Sequence, residues 1–224
     1  MNVVLFGATG MIGQGVLREC LLATDVERVA TIGRSPTRVT NPKLREIVRK
    51  DLRNYASVEG QLAGFDACFF CLGITSAGMN EADYTHVTYD IAMAAADVLV
   101  RLNPEMTFVF VSGAGTDSTE RGRVMWARVK GRTENALLRM PFKAAYMFRP
   151  GVVQPLHGVR SRTGAYRILY SLTAPLIPLL RRILPNQILT TEEMGRAMLN
   201  AVRHGAPKHV LESRDMRQLA GEVD

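Results

Sequence analysis

Short apolar runs alternate along this chain with longer stretches in which apolar residues return every three or four positions. The runs are Val3–Phe6, Val26–Ile32, Leu44–Val48, Ala67–Leu72, Thr107–Val111 and Ala144–Phe148. Most lack in–out alternation, which predicts strands covered on both faces, as in a parallel sheet. Between them, helical periodicity predicts helices over Met11–Leu22, Glu81–Leu102 and Val124–Met140, with a short, weak one near Tyr55–Leu62. A last helix is expected from the Thr190-Thr191-Glu192-Glu193 cap to about His204. Strands alternating with crossover helices predict an α/β, doubly wound parallel sheet, and the right-handed crossover makes the order 3-2-1-4-5-6 the natural one.

Beyond residue 151 the pattern loosens. Tyr166–Leu184 is apolar and basic, with Pro175 and Pro178 inside it. Its uncharged run from Ile168 to Leu180 is 13 residues, against roughly 20 needed to cross a bilayer. No membrane span is therefore expected; residues 151–190 are read as a small C-terminal extension covering a cleft, within a single domain over 1–224. At 224 residues, one domain with a sizeable core is the natural size.

The first strand ends on Gly7, and Gly10 and Gly13 follow at spacing three before the first helix. Gly7 allows a tight turn, Gly10 lets backbone N–H groups approach a pyrophosphate, and Gly13 lets the helix pack close on the strand. The helix N-terminus adds oriented donors and partial positive charge. A strand, a glycine loop and a helix in that order predict a Rossmann dinucleotide site. NAD-preferring sites carry an acid at the end of strand 2 for the ribose hydroxyls. Here that stretch holds Arg34, Ser35 and Arg38 and no acid. Guanidinium groups there suit a 2′-phosphate, so the expected cofactor is NADP.

Charge and cysteines change this picture little. Net charge is +7, but the basic residues are scattered and no basic stripe interleaves with aromatics, so nucleic acid is not an expected partner. Cys68 and Cys71 spell C-x-x-C within a predicted strand, where residues three apart face opposite sides. Neither a redox pair nor a metal site is expected from them or from His86, His157, His204 and His209, which lack ligand spacing. The chain opens directly on a core strand, with no signal or transit segment legible, and the expected location is cytoplasmic.

Further motifs fall in order along the chain: Gly33-Arg34, Asp51-Leu52, Cys71-Leu72-Gly73, Val111-Ser112-Gly113, Val129-Lys130-Gly131, Phe148-Arg149-Pro150-Gly151-Val152 and Arg196-x-x-x-Asn200. With the opening glycines they resemble the atypical short-chain dehydrogenase/reductase superfamily, and within it the Tat-interacting-protein-like branch of NADPH-binding oxidoreductase-like proteins. The resemblance covers essentially the whole chain. It implies that Gly7, Thr9, Gly10, Met11, Ile12 and Gly13 wrap the pyrophosphate, and that Arg34, Ser35 and Arg38 hold the 2′-phosphate. Asp51 and Leu52 would border the adenine, Cys71, Leu72 and Gly73 the riboses, and Pro150, Gly151, Val152 and Val153 the nicotinamide. Lys130 would bond the nicotinamide ribose, and Ser112 would polarise a substrate oxygen.

One departure weighs against these matches. Active members carry Tyr-x-x-x-Lys, the tyrosine acting as proton donor; this chain reads Trp126-x-x-x-Lys130. An indole N–H does not titrate usefully and is no general acid. Many members also have a hydroxyl where this chain has Gly113. Ser118 and Thr119 in the following loop, and Tyr84 and Tyr89 on the long helix, are the replacement hydroxyls to consider. Three functions stay open: an NADP(H) oxidoreductase on a small carbonyl or hydroxyl compound with weakened catalysis, a non-catalytic NADPH-dependent binding or regulatory protein, and a nucleotide-sugar epimerase-like enzyme. The partner is then a small-molecule substrate or another protein. A homodimer through the helices after strands 4 and 5 is a further implication of the resemblance.

Overall fold

The computed structural model describes residues 1–159 and 188–221. Five apolar segments form strands whose residues are buried almost throughout: β1 (Asn2–Phe6), β2 (Arg28–Gly33), β4 (Ala67–Phe70), β5 (Thr107–Val111) and β6 (Ala144–Arg149). The edge strand β3 (Leu44–Val48) buries only Ile47. Strands β7 (Val152–Gln154), β8 (Ile188–Thr190) and β9 (Val210–Glu212) complete the set. Seven strands pair in parallel in the order β3-β2-β1-β4-β5-β6-β9, and β7 pairs in parallel with β8. The doubly wound expectation holds, with β9 added beyond β6.

Alternate residues of each strand feed two separate cores. Val3 and Leu5 of β1, with Val29 of β2, face α1 (Met11–Leu22) and later helices; Val4 and Phe6 face the other side with Phe70, Phe108 and Phe110. Cys68 belongs to the second core while Cys71 packs against the first, so the two thiols lie on opposite faces as the strand geometry predicts. On the second face the chain forms α2 (Glu81–Thr85), one π-helical turn at His86–Asp90, and α3 (Ile91–Leu102). The predicted uninterrupted helix over 81–102 is thus broken by that turn, which packs on α4 (Met125–Leu138). Asn80 caps α2 by accepting from the Asp83 N–H at 2.8 Å.

On the first face, α1 packs against α5 (Thr191–Arg203), which in turn meets α6 (Ser213–Ala220). Small residues permit that approach: a Cβ on Gly15 would stand 2.5 Å from Thr191 Cβ, and one on Gly195 2.6 Å from Glu19 Cγ. The expected cap of α5 is a reciprocal one, Thr190 Oγ1 accepting from Glu193 N at 3.0 Å and Glu193 accepting from Thr190 N at 2.6 Å. Such a box is worth about 1 kcal/mol.

Several boundaries differ from the sequence reading. β2 starts at Arg28 rather than Val26, since Val26 N bonds Ala23 O in the preceding turn. β4 stops at Phe70, and Cys71, whose N–H still bonds Phe6 O at 3.0 Å, lies against the Gly7 turn. The weak helix near Tyr55–Leu62 is a short 3₁₀ helix, Ala56–Gln61. Tyr166–Leu184 lies outside the described residues, and with it most of the expected cleft cover. Its described flanks are β7 and β8, which lie side by side. Among the described residues no helix is long and apolar enough to cross a membrane.

Candidate functional site

Because the seven strands are parallel, their carboxyl ends share one edge, and the candidate residues follow those ends. Gly7 leaves β1 with φ +76°, a conformation that favours glycine. A Cβ there would stand 2.6 Å from the Cys71 carbonyl carbon, so the turn lies directly against the end of β4. Gly10 N donates to Gly7 O at 2.9 Å, closing the turn. A Cβ on Gly13 would fall 2.1 Å from Gly7 O, which only a glycine avoids. Gly10 caps α1 with no side-chain hydrogen bond and no acid stands in the first turn, leaving that end suited to an anion. Thr9, Met11 and Ile12 are part-buried around it. This cradle fits a pyrophosphate.

Arg34, Ser35 and Arg38 are exposed in the loop after β2, Arg38 at φ +65°. The sequence reading finds no acid at this end of the site; the fold brings one from β3. Glu46 accepts the Thr37 N–H at 2.6 Å and lines a small cavity with Thr9, Gly33 and Ser35. Nothing local marks it, since its nearness comes from the pairing of Thr31 with Glu46 across β2 and β3. Asp51 is exposed, its Oδ1 accepting from Arg53 N, and Leu52 is buried beside it, its carbonyl accepting from the Tyr55 hydroxyl at 2.6 Å. Cys71 and Leu72 are part-buried and Gly73 exposed.

At the end of β5, Ser112 is buried and its hydroxyl pairs with Thr116 Oγ1 at 2.9 Å. Lys130 reaches back from α4 to donate to Ser112 O at 3.1 Å and Val111 O at 3.4 Å, its ammonium 5.6 Å from the centre of the Phe110 ring. Burial pushes its pKa down to about 8, opposed by the nearby Glu134 carboxylate. Ser112 and Lys130, distant in sequence, are therefore neighbours. Trp126 joins them: a Cβ on Gly113 would stand 3.9 Å from its Cζ3, and one on Gly115 3.7 Å from its Cη2. The indole thus lies along the loop that carries Gly113 and Gly115.

The other hydroxyls are otherwise engaged. Tyr84 is buried, hydrogen-bonds Thr88, and has its phenol pKa raised chiefly by desolvation. Tyr89 stacks under the Arg132 guanidinium at 4.4 Å. Thr119 donates to Asp117 Oδ1 at 2.6 Å, and Ser118 Oγ accepts from Arg149 at 2.6 Å. Pro150 is buried, its carbonyl accepting from Ala114 N at 2.9 Å; Gly151 N donates to Ser213 Oγ, Val153 is buried and Val152 exposed.

A family model described as NAD(P)H-binding matches residues 7–140. Curated relatives include Protein FMP52-1, mitochondrial, of Scheffersomyces stipitis, 28% identical over 155 residues, 68% of this chain and 67% of that protein. Protein FMP52, mitochondrial, of Chaetomium globosum is 27% identical over 179 residues, 75% of this chain and 74% of that protein. The chain thus spans about two thirds to three quarters of these relatives. Their names, each ending in mitochondrial, overturn the cytoplasmic expectation.

Among solved structures, a short-chain dehydrogenase/reductase family oxidoreductase from Burkholderia thailandensis superposes with TM-score 0.68 at 17% identity, covering 98% of this chain and 93% of that one. A dTDP-glucose 4,6-dehydratase from Streptomyces venezuelae, with NAD bound, gives 0.67 at 17% identity, covering 99% and 79%. At such identities the likeness speaks for the fold. Taken with the glycine cradle and the parallel sheet, the matched span shows that the chain belongs to the NAD(P)H-binding family.

Proposed function

We propose that this chain binds NADP(H) in preference to NAD(H) and acts as a weak oxidoreductase on a small carbonyl or hydroxyl compound. The observation that carries the reading is a complete dinucleotide cradle joined to an altered proton-donor position. Arg34 and Ser35, exposed at the end of β2 in a loop that itself carries no acid, support the 2′-phosphate preference. A bound nicotinamide supplies or accepts a hydride. The chain's own part is to orient it: Lys130 stands at the end of β5 to hold a ribose, and Pro150–Val153 flank the same edge.

What is missing is the acid. The Trp126 indole covers Gly113 and Gly115, and the Ser112 hydroxyl is paired with Thr116. Loss of a positioned general acid costs roughly 10²–10⁴ in rate. That same filling of the site supports a second reading, in which the protein is a non-catalytic, NADPH-dependent binding or regulatory protein. An epimerase-like role would need the same absent proton relay.

Two measurements test the proposal. Titration is expected to give NADPH at least tenfold tighter than NADH, about 1.4 kcal/mol, with the advantage lost in Arg34→Ala. Equal affinities in the wild type would sink the preference. Trp126→Tyr is expected to create or raise turnover of small aldehydes or quinones at least tenfold, while Trp126→Phe, which also opens the pocket, does not. Ordinary wild-type rates matched by Trp126→Phe would mean that another group is the acid.

A further inference from the structure

The loop between β2 and β3 is tethered by a single carboxylate. Glu46 lies on the face of the sheet that carries α1, directly beside Thr31 in register. Its Oε1 takes the Thr37 N–H at 2.6 Å, and Thr37 Oγ1 in turn accepts from Val39 N at 3.2 Å. These bonds fold residues 35–39 back over the strand, with Arg38 left-handed in the turn. Among the described residues no ion pair is found for Glu46, Arg34 or Arg38. One carboxylate therefore faces the same small cavity as Thr9, Gly33 and Ser35, between the glycine turn and the end of β2.

We infer that Glu46 is a specificity-determining residue of the dinucleotide site, an acid delivered from β3 to the ribose end that favours a free 2′-hydroxyl and opposes a 2′-phosphate. The inference rests on the NADP(H) reading above and qualifies it. Arg34 and Ser35 attract the phosphate, and Glu46 limits how far that attraction discriminates. A carboxylate accepts hydrogen bonds from a diol, as the usual acid at the end of strand 2 does. Toward a phosphate dianion it is a like charge across one small cavity, and because Glu46 is exposed that repulsion is screened by salt.

The test uses Glu46→Gln, which keeps an oxygen for the Thr37 N–H and removes the charge. Affinities for NADPH, NADH, adenosine 2′,5′-bisphosphate and AMP are measured by calorimetric titration at fixed ionic strength. NADPH and the bisphosphate are expected to bind about fivefold tighter, with the gain shrinking as salt is raised. NADH and AMP are expected to stay the same or weaken by up to about threefold as the acceptor for the diol is lost. An unchanged bisphosphate affinity would overturn the inference. Equal loss across all four ligands would overturn it too, since Glu46 would then only hold the loop in place. Wild-type protein that binds none of the four would reject the dinucleotide reading itself, a result distinct from either.

Discussion

Lys130 shows how a buried charge bears on stability. Its ammonium is held by the carbonyls of Val111 and Ser112, yet burial lowers its pKa from the ordinary 10.5 to about 8. The unfolded chain therefore holds this proton more tightly than the folded one. Stability is greatest above the unfolded value, falls as pH drops through about 8, and stays lower below it. The shift alone corresponds to about 3 kcal/mol, offset by two charge-assisted bonds that an apolar replacement forfeits. Lys130→Met is expected to gain about 1 kcal/mol at pH 7, roughly 2–4 °C in melting temperature. The gain should shrink as pH rises from 8 toward 10, while NADPH binding weakens. Thermal melts at pH 7 and 9.5 check it, and a Met variant that melts lower at pH 7 would show that the lysine stabilises the fold.

At the scale of elements, what could be read from the chain was what local pattern encodes. The apolar runs gave six strands and their order, and the three glycines gave the cradle, because burial on both faces and tight turns leave their mark in consecutive residues. β7, β8 and β9 have three residues each, too few for any period to show, and α6 carries few apolar residues. The π-helical turn at His86–Asp90 has no signature at all, since it continues the helical spacing. Glu46 was invisible for a third reason: its role comes from pairing between strands. The Lys130-Gly131 pair falls between these cases, legible as a motif but not in its cause. A Cβ on Gly131 would stand 1.8 Å from Asp117 O, and Asp117 N donates to Ala127 O on the same helix at 3.1 Å. Gly131→Ala must lift the loop that carries Gly113 and Gly115, at a cost of about 3 kcal/mol. Gly60, whose Cβ would meet nothing within 4 Å, is the control and is expected to tolerate alanine with little loss. Urea denaturation of both variants separates close packing from the general effect of adding a methyl group.

Across the whole molecule, one buried ion pair joins the parts that frame the site. Glu134 on α4 is 1% exposed and receives Arg149 from the end of β6 through Nε at 3.0 Å and through a terminal nitrogen as well. The same guanidinium donates to Ser118 Oγ at 2.6 Å and lies 3.8 Å from Glu212 at the end of β9. Arg149 thus links a helix, two strands and the loop after β5, immediately before Pro150. Its own pKa is held up chiefly by Glu134, while Glu212 is raised first by desolvation and only partly relieved by Arg149. A buried pair is poor evidence of net stabilisation, but breaking one side of it is costly because a charge is left without a partner. Arg149→Met is therefore expected to lose about 3–5 kcal/mol in urea denaturation. Glu134→Gln alone leaves the arginine with Ser118 and partial access to water, so it should lose less. The double variant, with no uncompensated carboxylate at position 134, is expected to recover a substantial part of the Arg149→Met loss, giving a coupling energy of at least about 1 kcal/mol. Purely additive losses would mean that the two side chains contribute through packing alone, and the ion pair would then have no part in holding β6 and α4 together around the site.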